Sequence, residues 1–129
     1  MSCLKIYPSK NTPLVELSSD GKLTIHGRSI LDDAMGFYNP VLHWISESKS
    51  LTFTIEIQLE YLDTSSTKMI LHILKAIKQK YGVKNMEIHW IYESDDEDMF
   101  NLGKDLEMVI RRPFHFYELH PEKSISIHV

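Results

Sequence analysis

The chain has 129 residues, 43% of them hydrophobic and 10% aromatic, and carries a formal net charge of −4. That length suits one domain, residues 1–129, large enough to bury about 70% of the surface its unfolded chain exposes. Aromatic content together with few Pro and Gly excludes disorder, and an acidic balance without a clustered basic face excludes a nucleic-acid scaffold.

Residues 4–7 and 14–17 are short apolar stretches separated by Pro8 and Pro13, the pattern of an edge strand entering a second strand. Ser18-Ser19-Asp20-Gly21 is a turn signal, and residues 23–26 alternate after it, so the second and third strands are expected to form a hairpin closed by Gly27-Arg28-Ser29. Ser29 and Asp32 have the spacing of a helix cap, and Phe37, Val41 and Ile45 recur at helical spacing, which predicts a helix to about residue 46. Pro40 lies inside it and pushes Asn39 away from helical angles, so a kink or a break is expected there.

Residues 51–61 alternate cleanly: Leu51, Phe53, Ile55, Ile57, Leu59 and Tyr61 face the core, and Thr52, Thr54, Glu56, Gln58 and Glu60 the wetter side. From Ser65 or Ser66 to residue 81, Met69, Ile70, Ile73, Leu74, Ile77 and Tyr81 form a helical stripe ended by Gly82, with Lys75, Lys78 and Lys80 on its solvated face. Residues 86–92 read as another strand and 96–110 as a third helix, which Pro113 stops from continuing. Residues 114–119 and 125–129 are apolar enough for strands or packed extensions. Strands alternating with helices indicate an α/β domain, a mixed sheet flanked by about three helices.

Several chemistries lack their sequence patterns. None of His26, His43, His72, His89, His115, His120 and His128 forms a His-x-x-x-His pair, and the acidic run Glu93, Asp95, Asp96, Glu97, Asp98 lacks calcium-loop spacing. The run reads as a solvated loop and helix start. No glycine opens a phosphate loop, and no nucleophile elbow flanks Ser29, Ser65 or Ser66. No cofactor or metal is expected. Trp44, Trp90, Tyr38, Tyr61 and Tyr92 read as packing rather than a ligand cage. Cys3, the single cysteine, has no partner for an internal disulfide, residues 1–10 lack a signal-peptide core, and no run approaches the roughly 18 apolar residues of a membrane span. A soluble, cytoplasmic protein that binds no membrane is expected, a monomer when free.

The most informative stretch is Asp63-Thr64-Ser65-Ser66, where the alternating run hands over to the amphipathic one. A helix start presents unpaired N–H groups and the positive end of its dipole, so a phosphate on one of these hydroxyls would meet a favourable site. The bland alternative is that Ser, Thr and Asp here simply cap the helix.

Taken together, Gly27-Arg28-Ser29, Phe37-Tyr38-Asn39-Pro40 with Trp44, the block from Leu59 through Tyr61, Asp63, Thr64, Ser65 and Ser66 to Lys68, and Trp90-Ile91-Tyr92-Glu93 followed by Asp95 to Met99 and Gly103 resemble the SiaC-type regulatory phosphoprotein family. The resemblance spans roughly residues 12–114 and implies a STAS-like fold, similar to anti-sigma-factor antagonists. It implies further that Thr64 is the phosphoacceptor, with Ser65 and Ser66 as alternates, acted on by a Ser/Thr kinase and a metal-dependent Ser/Thr phosphatase. The unmodified form would bind and activate a diguanylate cyclase, linking the chain to cyclic di-GMP signalling and biofilm regulation in bacteria. Tyr61, Asp63, Ser65, Ser66, Arg28 and Tyr38 are the candidate partner-binding residues, Arg28 also as a counter-ion for the phosphate. Two stretches depart from the family pattern: Leu62-Asp63 stands where an aromatic-Asn pair is expected, and Ile30-Leu31-Asp32-Asp33 replaces a Tyr-Pro-Glu-Asn-like stretch. A carboxylate at 63 opposes the gain a phosphate would have at the helix terminus. Competing readings are a small metal-dependent enzyme using the 93–98 cluster and a structural interaction subunit.

Overall fold

The computed structural model describes residues 3–120. Its six strands lie in the sheet in chain order: β1 (Leu4–Ile6), β2 (Leu14–Ser18), β3 (Lys22–Ser29), β4 (Phe53–Leu62), β5 (Met86–Glu93) and β6 (His115–Leu119). Turn chemistry builds the antiparallel side, where β1 pairs with β2 and β2 with β3. Ser18 and Asp20 bond to each other in the connecting turn. Gly21 sits there at φ +89°, and a Cβ on it would come within 2.2 Å of the Thr52 carbonyl oxygen.

From β3 onward every neighbouring pair is parallel, and the crossovers are α1 (Ala34–Glu47), α2 (Thr64–Tyr81) and α3 (Glu97–Ile110). Right-handed crossovers that always step the same way across a sheet leave all three helices on one face. The burial pattern agrees. Leu23, Ile25, Phe53, Ile55, Ile57, Leu59, Met86, Ile88 and Trp90 are buried under the helices, whereas Thr24, His26, Thr54, Glu56, Gln58, His89 and Ile91 on the opposite side are half-buried. That open face is tied by polar pairs: His26 Nε2 lies 2.7 Å from Glu56 Oε2, and the His89 ring stacks on that of His115, 4.9 Å between centroids. Over the covered face, Gly103 lets α3 approach the sheet, since a Cβ there would lie 2.6 Å from Trp90 Nε1.

Several sequence expectations need correction. Helix α1 runs without interruption through Asn39 and Pro40, because it buries Tyr38, Val41, Trp44 and Ile45. Burying such side chains is worth about 1.5–3 kcal/mol each, more in sum than the ~3 kcal/mol an internal proline costs. Its cap is Asp33, whose Oδ1 accepts from the Gly36 amide at 3.0 Å, and not the Ser29/Asp32 pair. Strand β4 starts at Phe53, leaving Leu51 88% exposed. At its other end Gly27 pairs with Leu59 but Arg28 with Tyr61, so Glu60 is an inserted bulge residue. The bulge breaks the alternation and turns Tyr61 outward, 51% exposed, instead of into the core. Two lysines read as solvated have structural partners. Lys78 Nζ donates to the Ile110 carbonyl at the end of α3, and Lys80 Nζ to the Ile45, Ser46 and Ser48 carbonyls at the end of α1. Central α2 thus caps the C-termini of both neighbours with cations, where the helix dipoles favour them. The strand or extension expected at 125–129 lies outside the described residues.

Candidate functional site

Strand β4 delivers the chain to the carboxyl end of the parallel strands, and its bulge sets how the last residues meet α2. Asp63 N–H donates to the Ser29 carbonyl at 3.0 Å, continuing the β3–β4 pairing one residue beyond the strand. Asp63 then caps α2. Its Oδ1 accepts from the Ser66 amide at 2.8 Å, and its Oδ2 accepts from the Leu31 amide at 2.8 Å. One carboxylate therefore joins the start of α2 to the loop between β3 and α1. The anion site foreseen for a phosphate is occupied by this side chain.

Thr64 is the first residue of α2 and is exposed. Ser65, also exposed, has its Oγ 3.3 Å from both the Leu31 carbonyl and Asp63 Oδ1, while Thr67 Oγ1 donates to the Asp63 carbonyl at 2.9 Å. Ser66 is different: it is fully buried. Ser29 Oγ donates to Ser66 Oγ at 2.8 Å, which commits the Ser29 proton and makes Tyr38 the donor in the 2.7 Å contact between its hydroxyl and Ser29 Oγ. A buried line of hydroxyls, Tyr38 to Ser29 to Ser66, thus runs beneath the exposed first turn.

Electrostatics follow from this arrangement. Burial pushes the Asp63 carboxyl up, but hydrogen bonds from the Ser66 hydroxyl and amide, the Leu31 amide and the Ser65 hydroxyl outweigh it and hold the group below the usual carboxylate range. Burial pushes the Tyr38 phenol up to about 12, with the help of the nearby Asp63 charge. The junction therefore holds one fixed negative charge above a neutral hydroxyl line.

Arg28 faces Tyr61 across the β3–β4 pairing, its guanidinium 5.6 Å from the ring centroid. Its register partner Tyr61, on β4, lies two residues before Asp63. Tyr38 and Ser66, expected as partner contacts, have no accessible surface in this structure. They lie below the exposed residues instead, as does Ser29. The role of Ser29 was missed although its signal was present: Leu23, Ile25, Gly27 and Ser29 share one strand phase, which places Ser29 on the core face. Ser66 extends the Met69, Ile70, Ile73 stripe by one turn in the same way.

The acidic run resolves into local roles. Asp96 caps α3 by accepting from the Met99 amide at 3.0 Å, and Glu97 and Asp98 occupy the first helical turn. Among the described residues, no three His, Cys, Asp or Glu side chains group as metal ligands, and no helix is long and apolar enough to cross a membrane.

The chain is an α/β domain with an exposed threonine where its fourth strand gives way to its second helix. Residues 6–119 match the family model of the SiaC family regulatory phosphoproteins, and the chain belongs to that family. A protein of Pseudomonas aeruginosa (strain UCBPP-PA14), described as uncharacterised, is 24% identical over 119 residues, 88% of this chain and 94% of its own length. The fold is also that of solved structures. SiaC of Pseudomonas aeruginosa, in a crystal structure of diguanylate cyclase SiaD with its activator SiaC, matches with a TM-score of 0.82 at 21% identity, covering 90% of this chain and 99% of that one. A second SiaC structure from Pseudomonas aeruginosa gives a TM-score of 0.77 at 21% identity over 91% and 97% of the two chains.

Proposed function

We infer that this chain is a non-catalytic, phosphorylation-controlled partner switch acting in the cytoplasm. Its unmodified form binds and activates a diguanylate cyclase, phosphorylation of Thr64 by a Ser/Thr kinase releases the cyclase, and a metal-dependent Ser/Thr phosphatase resets the switch. The family and its solved complex with a cyclase support the partner. The observation that carries the choice of residue is the contrast within one helical turn: Thr64 is exposed, whereas Ser66 is sealed and hydrogen-bonded. Ser65 is exposed but engaged with Leu31 and Asp63, and it remains the alternate acceptor.

Asp63 shapes what the phosphate does. Because its carboxylate already holds the Ser66 and Leu31 amides, a group carrying about −1.5 to −2 charge next to it cannot add a second anion to the same donors without repulsion. The phosphate either displaces Asp63, freeing the β3–α1 loop from α2, or projects into the partner surface. Both routes oppose docking, the second because burying a strongly hydrated dianion without new cations is costly. Arg28, its guanidinium 5.6 Å from the Tyr61 ring centroid, is our candidate counter-ion for a displaced phosphate or contact for a partner.

Binding of the cyclase from the chain's own host is the direct test. Thr64→Ala should bind like wild type and Thr64→Glu at least about tenfold more weakly, about 1.4 kcal/mol. Equal binding by both variants, or phosphate mapped by mass spectrometry of native protein to a residue outside 64–67, would refute the assignment.

A further inference from the structure

Beside the junction, where the end of β4 faces the start of α3, a groove of about 300 Å³ opens between Tyr61, Leu62, Met99 and Leu102, with Glu60, Asp96 and Asp98 around it. Its floor is apolar, since Met99 is buried and Leu62 and Leu102 are half-buried, and its mouth is marked by the outward-turned Tyr61. Three carboxylates and no Lys or Arg line it, Asp96 being also the α3 cap, while the Arg28 guanidinium lies outside the lining, 5.6 Å from the Tyr61 ring centroid. Glu60, the bulge residue, and Tyr61, which the bulge turns outward, both line the groove.

We propose that this groove docks a segment of the protein partner that presents an apolar side chain flanked by Lys or Arg. The proposal rests on the partner-switching reading and names the chemistry of that partner's contact. An exposed aromatic beside an apolar concavity is the usual make-up of an interface anchor. The acidic rim selects a basic occupant and steers its approach, and it disfavours a second copy of this chain, whose net charge is −4. There is a consequence for the switch. A dianion on Thr64 increases the attraction felt by a basic segment, so release requires the partner to cover Thr64 itself, where the phosphate's hydration and bulk oppose closure.

The experiment measures affinity and association rate for the own-host diguanylate cyclase at low and high salt, using wild type, Glu60→Lys with Asp98→Lys, Glu60→Gln with Asp98→Asn, Tyr61→Ala and Thr64→Glu. Glu60 and Asp98 are exposed, and the neutral pair reads the same surface should charge reversal disturb folding. Expected are a loss of about tenfold or more for the reversed pair with a flattened salt dependence of the association rate, a smaller loss of the same kind for the neutral pair, and a salt-independent loss for Tyr61→Ala. Rim variants that bind as wild type while Thr64→Glu does not would overturn the groove and leave the switch standing. The converse result, rim variants impaired and Thr64→Glu normal, would sink the switch and keep the groove. A wild-type chain that ignores the cyclase overturns both, and self-association abolished by the rim variants would reassign the groove to a second copy.

Discussion

Helices α2 and α3 begin alike and differ in what their first turns are tied to. Each follows a parallel strand and each is capped by an aspartate, Asp63 accepting from Ser66 N at 2.8 Å and Asp96 from Met99 N at 3.0 Å. At α3 the cap serves its own helix, and Glu97 and Asp98 fill the first turn with charge that favours the N-terminus. At α2 the first turn holds hydroxyls and no acid, and the second carboxylate oxygen reaches the Leu31 amide of another element. A helix start saturated with its own carboxylates has little to gain from modification. One whose single carboxylate also anchors a neighbouring loop can transmit a change in charge to that loop.

The largest effect that separates the two ends is loss of the cap. Asp63→Ala removes an N-cap acceptor and a charged hydrogen bond to another element, and should cost about 2 kcal/mol in urea unfolding, against about 1 kcal/mol for Asp96→Ala. Hydrogen exchange should register the difference locally, with the Leu31 amide exposed in Asp63→Ala and unchanged in Asp96→Ala. Equal costs and an unchanged Leu31 amide would reduce Asp63 to an ordinary cap.

How much of this the sequence disclosed depends on the range of the forces involved. Alternation and the 3.6-residue stripe revealed β4 and α2 because each follows from burial along one element. The single α/β domain and its mixed sheet were legible for the same reason. The strand-to-helix junction at residues 63–66 was reachable from its place between those two patterns. The phase of Tyr61 was not, since the Glu60 bulge is set by pairing with β3, where Tyr61 lies opposite Arg28 from a distant part of the sequence. Nor was the uninterrupted α1, where tertiary burial of Tyr38, Trp44 and Ile45 outweighs the local penalty of Pro40. The bond from Leu31 N to Asp63 also joins distant segments, and nothing in either local sequence announces it.

A smaller effect distinguishes the charge of the Asp63 cap from its shape. Hydrogen bonds hold the Asp63 carboxyl below its ordinary value in the fold, so its ionised form adds stability above the unfolded value near 3.9 and that contribution disappears as pH falls through the lower folded value. Asp63→Asn keeps an acceptor oxygen for the Ser66 amide but has no charge to lose. Wild type should exceed Asp63→Asn in stability by a constant margin at neutral pH, and the margin should shrink below about pH 4. A margin that persists unchanged into acid would assign the effect to amide geometry.

The smallest stability effect belongs to the charges in the first turn of α3. Glu97→Gln and Asp98→Asn should each cost a few tenths of a kcal/mol through the helix dipole, less at high salt. The two substitutions should part company in binding. Both sit in the same turn of the same helix, but Asp98 lines the groove and Glu97 does not, so their dipole contributions cancel in the comparison. Asp98→Asn should weaken the cyclase complex measurably while Glu97→Gln leaves it nearly unchanged. Equal losses from both would mean that the partner senses the overall negative field of this edge rather than the groove, and the distinction between the two helix starts would then be one of charge density instead of architecture.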